Sequence, residues 1–233
     1  MIELLTSLGT STKSLARDKR FLPELLSRSP SSVFRLVTFL ASSVVRLPIK
    51  NVGPLIRNPN CLELLNAVCH VPTPSETFES TALDILPQPP QGIIIRKEAE
   101  ETYKNMKETA DALRHELGIQ NVGKMVVSYP GVLLLDPATQ IYPVADFLYN
   151  EIGLSEVGVP QVLETFPSIL KADVQQMRDV FRYLIELEVS EHDIPKIFRS
   201  FPSLLTLDIE KDMSPVVLFL REIGVVNIGR FIT

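Results

Sequence analysis

Long basic side chains recur at one position of a repeated sequence segment. Lys124 and Lys196 each lie six residues before a proline, and Gln161 occupies the same position in the segment between them. In the last segment the position falls on Arg230, which follows a glycine by six residues, as Lys124 follows Gly118. A row of cations at equivalent positions is suited to contacting the phosphates of a nucleic-acid backbone.

Arg199 extends this set, because it lies one helical turn after Lys196. We call Lys124, Lys196, Arg199 and Arg230 the cation column and interpret it as a nucleic-acid-binding site. The alternative is an ordinary solvated helix face, on which Lys and Arg are common.

The other residue types that do chemistry form no recognisable constellation. The three histidines are far apart in sequence, no Gly-rich phosphate loop is present, and the two cysteines lack the spacing of a zinc site. These residues are His70, His115, His192, Cys61 and Cys69. We therefore expect no catalytic site, no metal and no cofactor, and a protein that is not an enzyme.

Two sequence elements recur in the same phase after about residue 96. The first is aromatic-Pro-small-aliphatic-Leu-x-x-Asp, found as YPGVLLLD, FPSILKAD and FPSLLTLD, with prolines at Pro130, Pro167 and Pro202. The second is found as ALRHELGI, FLYNEIGL, YLIELEV and FLREIGV. The prolines are 37 and then 35 residues apart. This period predicts stacked helical repeats, an all-α solenoid of right- or left-handed twist.

The glycine, proline and aspartate positions of one repeat predict three helical elements. A long helix ends at a left-handed glycine, a short helix follows, and Pro opens a brief third turn. An Asp then caps the next long helix. The predicted markers are Gly118, Gly153 and Gly224, the inward-pointing Leu133, Leu170 and Leu205, and the caps Asp136, Asp173 and Asp208. Glu188 replaces the glycine in repeat three, which leaves that helix end undefined. Tyr129, Phe166 and Phe201 are interpreted as wedges between repeats, with base-stacking platforms as the alternative.

Pro143 and Pro215 lie near the starts of two long helices. The first turn of a helix tolerates proline, and at any later position we expect a kink.

This alternation of a Pro-x-aliphatic-Leu-x-x-Asp turn with a Phe-Leu-x-x-x-Gly helix end resembles the repeat of the mitochondrial transcription termination factor (mTERF) family, over residues 98–233. The resemblance implies a left-handed superhelix of three-helix repeats. It also implies action in mitochondria or plastids on double-stranded DNA or RNA, in transcription, splicing or ribosome assembly. Tetratricopeptide and pentatricopeptide repeats have similar periods but lack the Pro-Leu turn.

Four segments are predicted along the chain. Residues 1–30 form a basic, Ser-rich leader compatible with a transit peptide or with an amphipathic helix and loop, and residues 31–70 are helical, with possible degenerate repeats. Residues 71–95 are a Pro-rich linker, and residues 96–233 are the repeat array, whose last repeat stops before its Pro-Leu turn and suggests a fragment. No run is apolar enough to span a membrane.

The charge distribution leaves three functions open. Residues 1–57 carry nine basic and three acidic residues, whereas the whole chain has a net charge of −5. Binding of organellar double-stranded DNA in transcription or its termination is the first hypothesis, and RNA binding in splicing or ribosome assembly is the second. The acidic balance favours the third, a scaffold for protein partners.

Overall fold

In the computed structural model every described element is helical, which confirms the all-α fold class. The structure describes residues 28, 30–43, 45–56, 58–68 and 97–232. The predicted linker and almost all of the predicted leader lie outside them, as do Cys69 and His70. None of the described helices is long and apolar enough to cross a membrane.

The chain divides into two compact units. The first comprises residues 1–111 and 121–134, and the second comprises residues 112–120 and 135–233. Each unit is described by itself. The four sequence repeats are numbered by their long helices, which begin at residues 97, 137, 174 and 209.

The described residues of the first unit form five α-helices and two 3₁₀ turns. These are α1 Pro30–Ala41, α2 Ile49–Ile56, the turn Pro59–Cys61, α3 Leu62–Val68, α4 Lys97–Asp111, α5 Val122–Ser128 and the turn Pro130–Leu134. The second turn packs against α3 and α4. Arg35 lies 4.4 Å from the ring centroid of Tyr103 and forms an ion pair with Glu100. Arg46, after α1, has φ of 57°, like the residues that close the repeats, but degenerate repeats within 31–70 stay a prediction.

The second unit contains six α-helices with 3₁₀ and π turns between and within them. It begins with the π turn Ala112–Glu116. The π turn Pro137–Ile141, α6 Tyr142–Asp146, the π turn Phe147–Glu151, α7 Gly158–Thr165 and the 3₁₀ turn Pro167–Lys171 follow. Next come α8 Val174–Glu186, α9 Ile194–Ser200, the 3₁₀ turn Pro202–Thr206, the π turn Ile209–Met213, α10 Ser214–Glu222 and α11 Ile228–Ile232.

The Pro-Leu turns have the predicted form. Pro130, Pro167 and Pro202 each begin a 3₁₀ turn, and Leu133, Leu170 and Leu205 are all at least 99 % buried. The aspartates that follow cap the next long helices. Their carboxylates accept from backbone N–H groups at 2.7 Å for Asp136, 2.8 Å for Asp173 and 3.0 Å for Asp208. Each turn therefore joins a buried leucine to a fixed helix start.

All four long helices end at a residue in the left-handed region. Gly118, Gly153 and Gly224 have φ of 68°, 77° and 90°, and Glu188 takes the same place in repeat three with φ of 63°. Val189 N–H then donates to the Leu184 carbonyl at 3.1 Å, the bond that closes a Schellman-type helix end. The uncertainty about this terminus is removed, because the helix ends there despite a cost of about 1–2 kcal/mol for a side chain in this conformation.

The π turns accommodate single-residue differences in length between repeats. From the capping Asp to the aromatic that recurs in repeats two to four there are eleven positions in repeats two and four (to Phe147 and Phe219) but ten in repeat three (to Tyr183). Only the two longer helices begin with a π turn. At the other end, repeats one and two have one more residue before the closing glycine, and only these carry the π turns Ala112–Glu116 and Phe147–Glu151. The proline spacings of 37 and 35 differ by these two insertions.

Pro143 and Pro215 each lie directly after a π turn. Each is the second residue of the regular helix that follows, α6 or α10. A proline has no N–H to donate to the carbonyl four residues earlier. The i→i+5 hydrogen bond of Ile141 to Asp136, at 3.4 Å, shifts the pairing of the turn before Pro143. At these two prolines the structure therefore has a π turn in place of the kink expected within a helix.

An apolar stripe is buried in repeat three and exposed in repeat four. Val180 in α8 and Leu187, which directly follows that helix, are 0 % and 6 % exposed, whereas the equivalent Val216 in α10 and Ile223 after it are 56 % and 60 % exposed. In repeat three the turn Pro202–Thr206 packs against α8. This contact links burial of the stripe to the Pro-Leu turn of the same repeat.

Two equivalent valines test this dependence. We expect Val180→Ala to lower the free energy of unfolding by about 2 kcal/mol, because it removes buried methyl groups and leaves a cavity. Val216→Ala makes the same change on a solvated face and should cost less than about 0.5 kcal/mol. Urea denaturation of both variants measures the difference, and equal losses would contradict this account of the stripe.

Candidate nucleic-acid interface

Three residues of the cation column occupy the third position of a short helix. Lys124 lies at this position in α5, Lys196 in α9 and Arg230 in α11, and all three side chains are exposed. The first residue of each of these helices is a buried aliphatic: Val122, Ile194 and Ile228. Because that residue points into the core, the residue two positions later points towards solvent.

Side-chain caps fix the first turn of two of these helices. The amide oxygen of Asn121 accepts from the Lys124 backbone N–H at 2.9 Å, and that of Asn227 accepts from the Arg230 N–H at 2.8 Å. A cation so close to a helix N-terminus gains nothing from the helix dipole, which favours cations at the other end. Helix stability therefore does not explain why basic residues recur there.

Glycine before the cation allows two short helices to approach other backbone closely. A Cβ on Gly229 would lie 2.2 Å from the Glu188 carbonyl oxygen, and one on Gly123 would lie 3.1 Å from the Val45 carbonyl oxygen. Real Cβ atoms do not approach backbone to 2.2 Å. The Gly229 contact therefore fixes the position of α11, and with it the origin of the Arg230 side chain.

The charged surroundings differ between the lysines of the column. Lys196 Nζ lies 2.7 Å from Asp193 Oδ1, and this hydrogen bond holds the pKa of Asp193 below its usual value. Asp193 occupies the cap position that Asn121 and Asn227 hold in repeats one and four. Lys124 forms no ion pair within the described part of the chain. Repeat three therefore presents a partly neutralised cation.

The remaining predicted positions on this surface are polar or cationic and exposed. Arg199 lies one turn after Lys196 in α9, and Gln161 interrupts the column on α7. Phe201 is 68 % exposed, so its interpretation as a wedge between repeats is wrong. Its aromatic ring lies outside the buried contact to which Pro202 and Leu205 belong.

A second set of arginines is occupied by ion pairs. Arg178 donates to both carboxylate oxygens of Glu151 at 2.6–2.9 Å and links repeats two and three, and Arg182 lies 3.5 Å from Asp179. The hydrogen bond from Arg178 lowers the pKa of Glu151. The partner Glu151 lies 27 residues away in the sequence, so no spacing within one helix indicates this pair.

The cation column spans the two units. Lys124 belongs to the first, and Lys196, Arg199 and Arg230 belong to the second. Each is exposed, as the pattern predicts, and their alignment into one continuous row stays a prediction. Among the described residues no three His, Cys, Asp or Glu side chains lie together as metal ligands would.

Among known families, the model of the mTERF family matches residues 95–229. The match covers α4 to α10 and the start of α11, and it includes Lys124, Lys196 and Arg199 but ends one residue before Arg230. A comparison with curated proteins gives no match.

Gly229→Ala tests the close contact that fixes α11. We expect α11 to detach, because the new methyl group meets immovable backbone, and its amides to exchange hydrogen at least about tenfold faster. Arg230→Ala, on the neighbouring exposed residue, should keep the protection. Hydrogen exchange followed by mass spectrometry measures the exchange rate of the α11 amides in both variants. If these amides stay protected in Gly229→Ala, the described packing of Gly229 against Glu188 is contradicted.

Asp193→Asn tests whether the carboxylate restrains Lys196. The change releases the lysine from its ion pair and should raise the affinity for duplex DNA at low salt by roughly two- to fivefold. Asp179→Asn removes the same charge beside Arg182 on α8 and serves as the matched control. Fluorescence anisotropy measures both, and an equal gain in the control would mean that only net charge matters.

Proposed function

The chain belongs to the mTERF family, and we propose that it binds double-stranded DNA in a mitochondrion or chloroplast and regulates transcription or its termination there. It acts by binding and not by catalysis. The observation that carries this proposal is the recurrence of an exposed cation at the third position of α5, α9 and α11.

The chemistry of such a site is electrostatic. Each lysine or arginine that meets a phosphate releases condensed counterions, so affinity falls steeply with salt. Arg can bind phosphate through two N–H groups, whereas Lys acts as a point charge. Phosphate contacts position a protein on the duplex but carry no sequence information by themselves.

The acidic balance of the chain bears on how tightly it binds. The net charge of −5 opposes approach to a polyanion at long range. Several acids are neutralised locally, as in the Arg178–Glu151 and Lys211–Asp208 pairs. Binding through the cation column is therefore expected to be of moderate strength and confined to the short helices.

The basic start of the chain supports an organellar location. The predicted leader, residues 1–30, carries five basic residues, three acidic residues and five serines, and is compatible with a transit peptide. Fusion of residues 1–30 to a fluorescent protein tests this, and a cytosolic signal would count against the location.

The salt dependence of binding is the direct test. Each phosphate contact adds roughly 0.9 to the slope of log affinity against log salt concentration. Lys124→Ala should reduce that slope by roughly this amount. Lys196→Ala should reduce it by less, because Lys196 already pairs with Asp193 at 2.7 Å. Lys211→Ala removes the same charge from a lysine paired with Asp208 at 3.1 Å, and its slope should not change.

Other outcomes would favour other functions. If structured RNA displaces duplex DNA at equal concentration, the family role in RNA processing replaces the transcriptional one. If neither nucleic acid binds at low salt, the proposal fails and a protein scaffold takes its place. Unchanged slopes in both lysine variants would remove the cation column from any binding that is observed.

A further inference from the structure

Residues 30–61 have the layout of one repeat, and we call them the leading repeat. The long helix α1 is followed by Arg46 in the left-handed region, by the short helix α2 and by a 3₁₀ turn that begins at Pro59. Leu47 N–H donates back to the Leu40 carbonyl of α1 at 3.0 Å, as the residue after the left-handed position does in repeat three. The leading repeat precedes the range that the family model matches.

The leading repeat packs on repeat one as a neighbour in the array. Its turn Pro59–Cys61 contacts the turn Pro130–Leu134 of repeat one. The turns Pro167–Lys171 and Pro202–Thr206 of repeats two and three also contact each other. Each contact lies within one unit. Spacing alone does not indicate the first contact, because its two prolines are 71 residues apart, about twice the repeat period.

The short helix of the following repeat lies on the left-handed residue. A Cβ on Gly123 of α5 would lie 3.1 Å from the carbonyl oxygen before Arg46 and 3.3 Å from the nitrogen after it. A Cβ on Gly229 of α11 would lie 2.2 Å from the carbonyl oxygen of Glu188 and 2.6 Å from the nitrogen after it. Arg46 therefore adjoins α5 as Glu188 adjoins α11.

A side chain at this position reaches the start of the next short helix. In repeat three Glu188 Oε2 accepts from the side-chain amide of Asn227 at 3.2 Å, and Asn227 caps the helix that carries Arg230. Arg46 begins at the equivalent place beside the helix that carries Lys124, with φ of 57° against 63° for Glu188. Its longer side chain is therefore within reach of the surface around Lys124.

Arg46 is an exposed cation. Its Nε–H donates to the Ser43 carbonyl at 3.1 Å, and within the described residues no carboxylate neutralises its charge. A guanidinium can present two N–H groups to one phosphate. Glycine holds the same position in repeats one, two and four, and an acid holds it in repeat three. The leading repeat is thus the described repeat that adds positive charge there.

The backbone at Arg46 separates two roles for this side chain. A side chain in the left-handed region is less stable than glycine, because its Cβ crowds the following carbonyl oxygen. Such conformations concentrate at functional sites. The structural alternative is a cation that stabilises the C-terminal end of α1 through the helix dipole. The two roles differ in whether the side chain contacts a ligand.

We propose that Arg46 binds the phosphate backbone of the duplex that Lys124 contacts, so that the leading repeat extends the nucleic-acid-binding surface. The inference rests on the proposed function and adds to it a binding residue outside the range of the family match. The contact is to phosphate charge, so it strengthens binding without selecting a sequence.

The salt dependence of binding by the full chain tests Arg46. The probe is a DNA duplex of mixed sequence, and fluorescence anisotropy at several salt concentrations gives the slope of log affinity against log salt. Arg46→Gly introduces the residue of repeats one, two and four and should lower this slope by roughly 0.9, the value of one phosphate contact. Arg46→Lys keeps the charge and should retain the slope. An unchanged slope in Arg46→Gly would overturn the proposal.

Glu188→Gly is the matched control, because it makes the same backbone change in repeat three but removes an acid. Its slope should not fall. Circular dichroism melting establishes that the variants are folded at the assay temperature. If Arg46 only stabilises the end of α1, Arg46→Gly lowers the melting temperature and leaves the slope unchanged.

Failure of this inference is distinguishable from failure of the proposed function. If Lys124→Ala lowers the slope and Arg46→Gly does not, the inference about Arg46 alone is wrong. If the duplex does not bind at low salt, the proposed function is wrong as well.

Discussion

The packing of a buried leucine from each Pro-Leu turn against a long helix is the contact on which the repeat depends. A helix pair of about 35 residues with one apolar face cannot bury that face alone. Leu133, Leu170 and Leu205 are at least 99 % buried. The turn Pro202–Thr206 packs against α8, where Val180 is fully buried. The turn is therefore the element that converts two helices into a stable repeat.

The constraint explains how the repeats tolerate different lengths. If an inserted residue rotated the rest of a helix by about 100°, the apolar stripe would leave the leucine. A π turn absorbs the residue locally, so both ends of the helix keep their contacts. Glu188 shows the same priority at the helix end, because it accepts a left-handed conformation that glycine usually takes. The apolar stripe thus keeps its alignment with the buried leucine, although the π turns and the left-handed Glu188 are unfavourable backbone conformations.

The same geometry separates paired arginines from exposed cations. On the long helices, Arg178 is held by Glu151 of the neighbouring repeat, and Arg182 lies beside Asp179 of its own helix. Cations on the short helices lie beside buried aliphatic residues and point to solvent. Asp193 partly neutralises one of them, Lys196. An acidic chain can in this way keep a few exposed cations at regular positions.

The sequence by itself determined the class of fold, the family, the Pro-Leu turns, the aspartate caps and the glycine helix ends, because these follow from local backbone chemistry and repeat at a fixed period. It also placed the exposed cations, since position relative to the buried aliphatic residues sets their direction. Only the tertiary structure decided the contacts between distant segments. Arg178 pairs with Glu151, Phe201 is exposed and not packed between repeats, and Gly229 lies against the backbone of Glu188. Such contacts depend on how separate helices dock, and no spacing within one repeat encodes that.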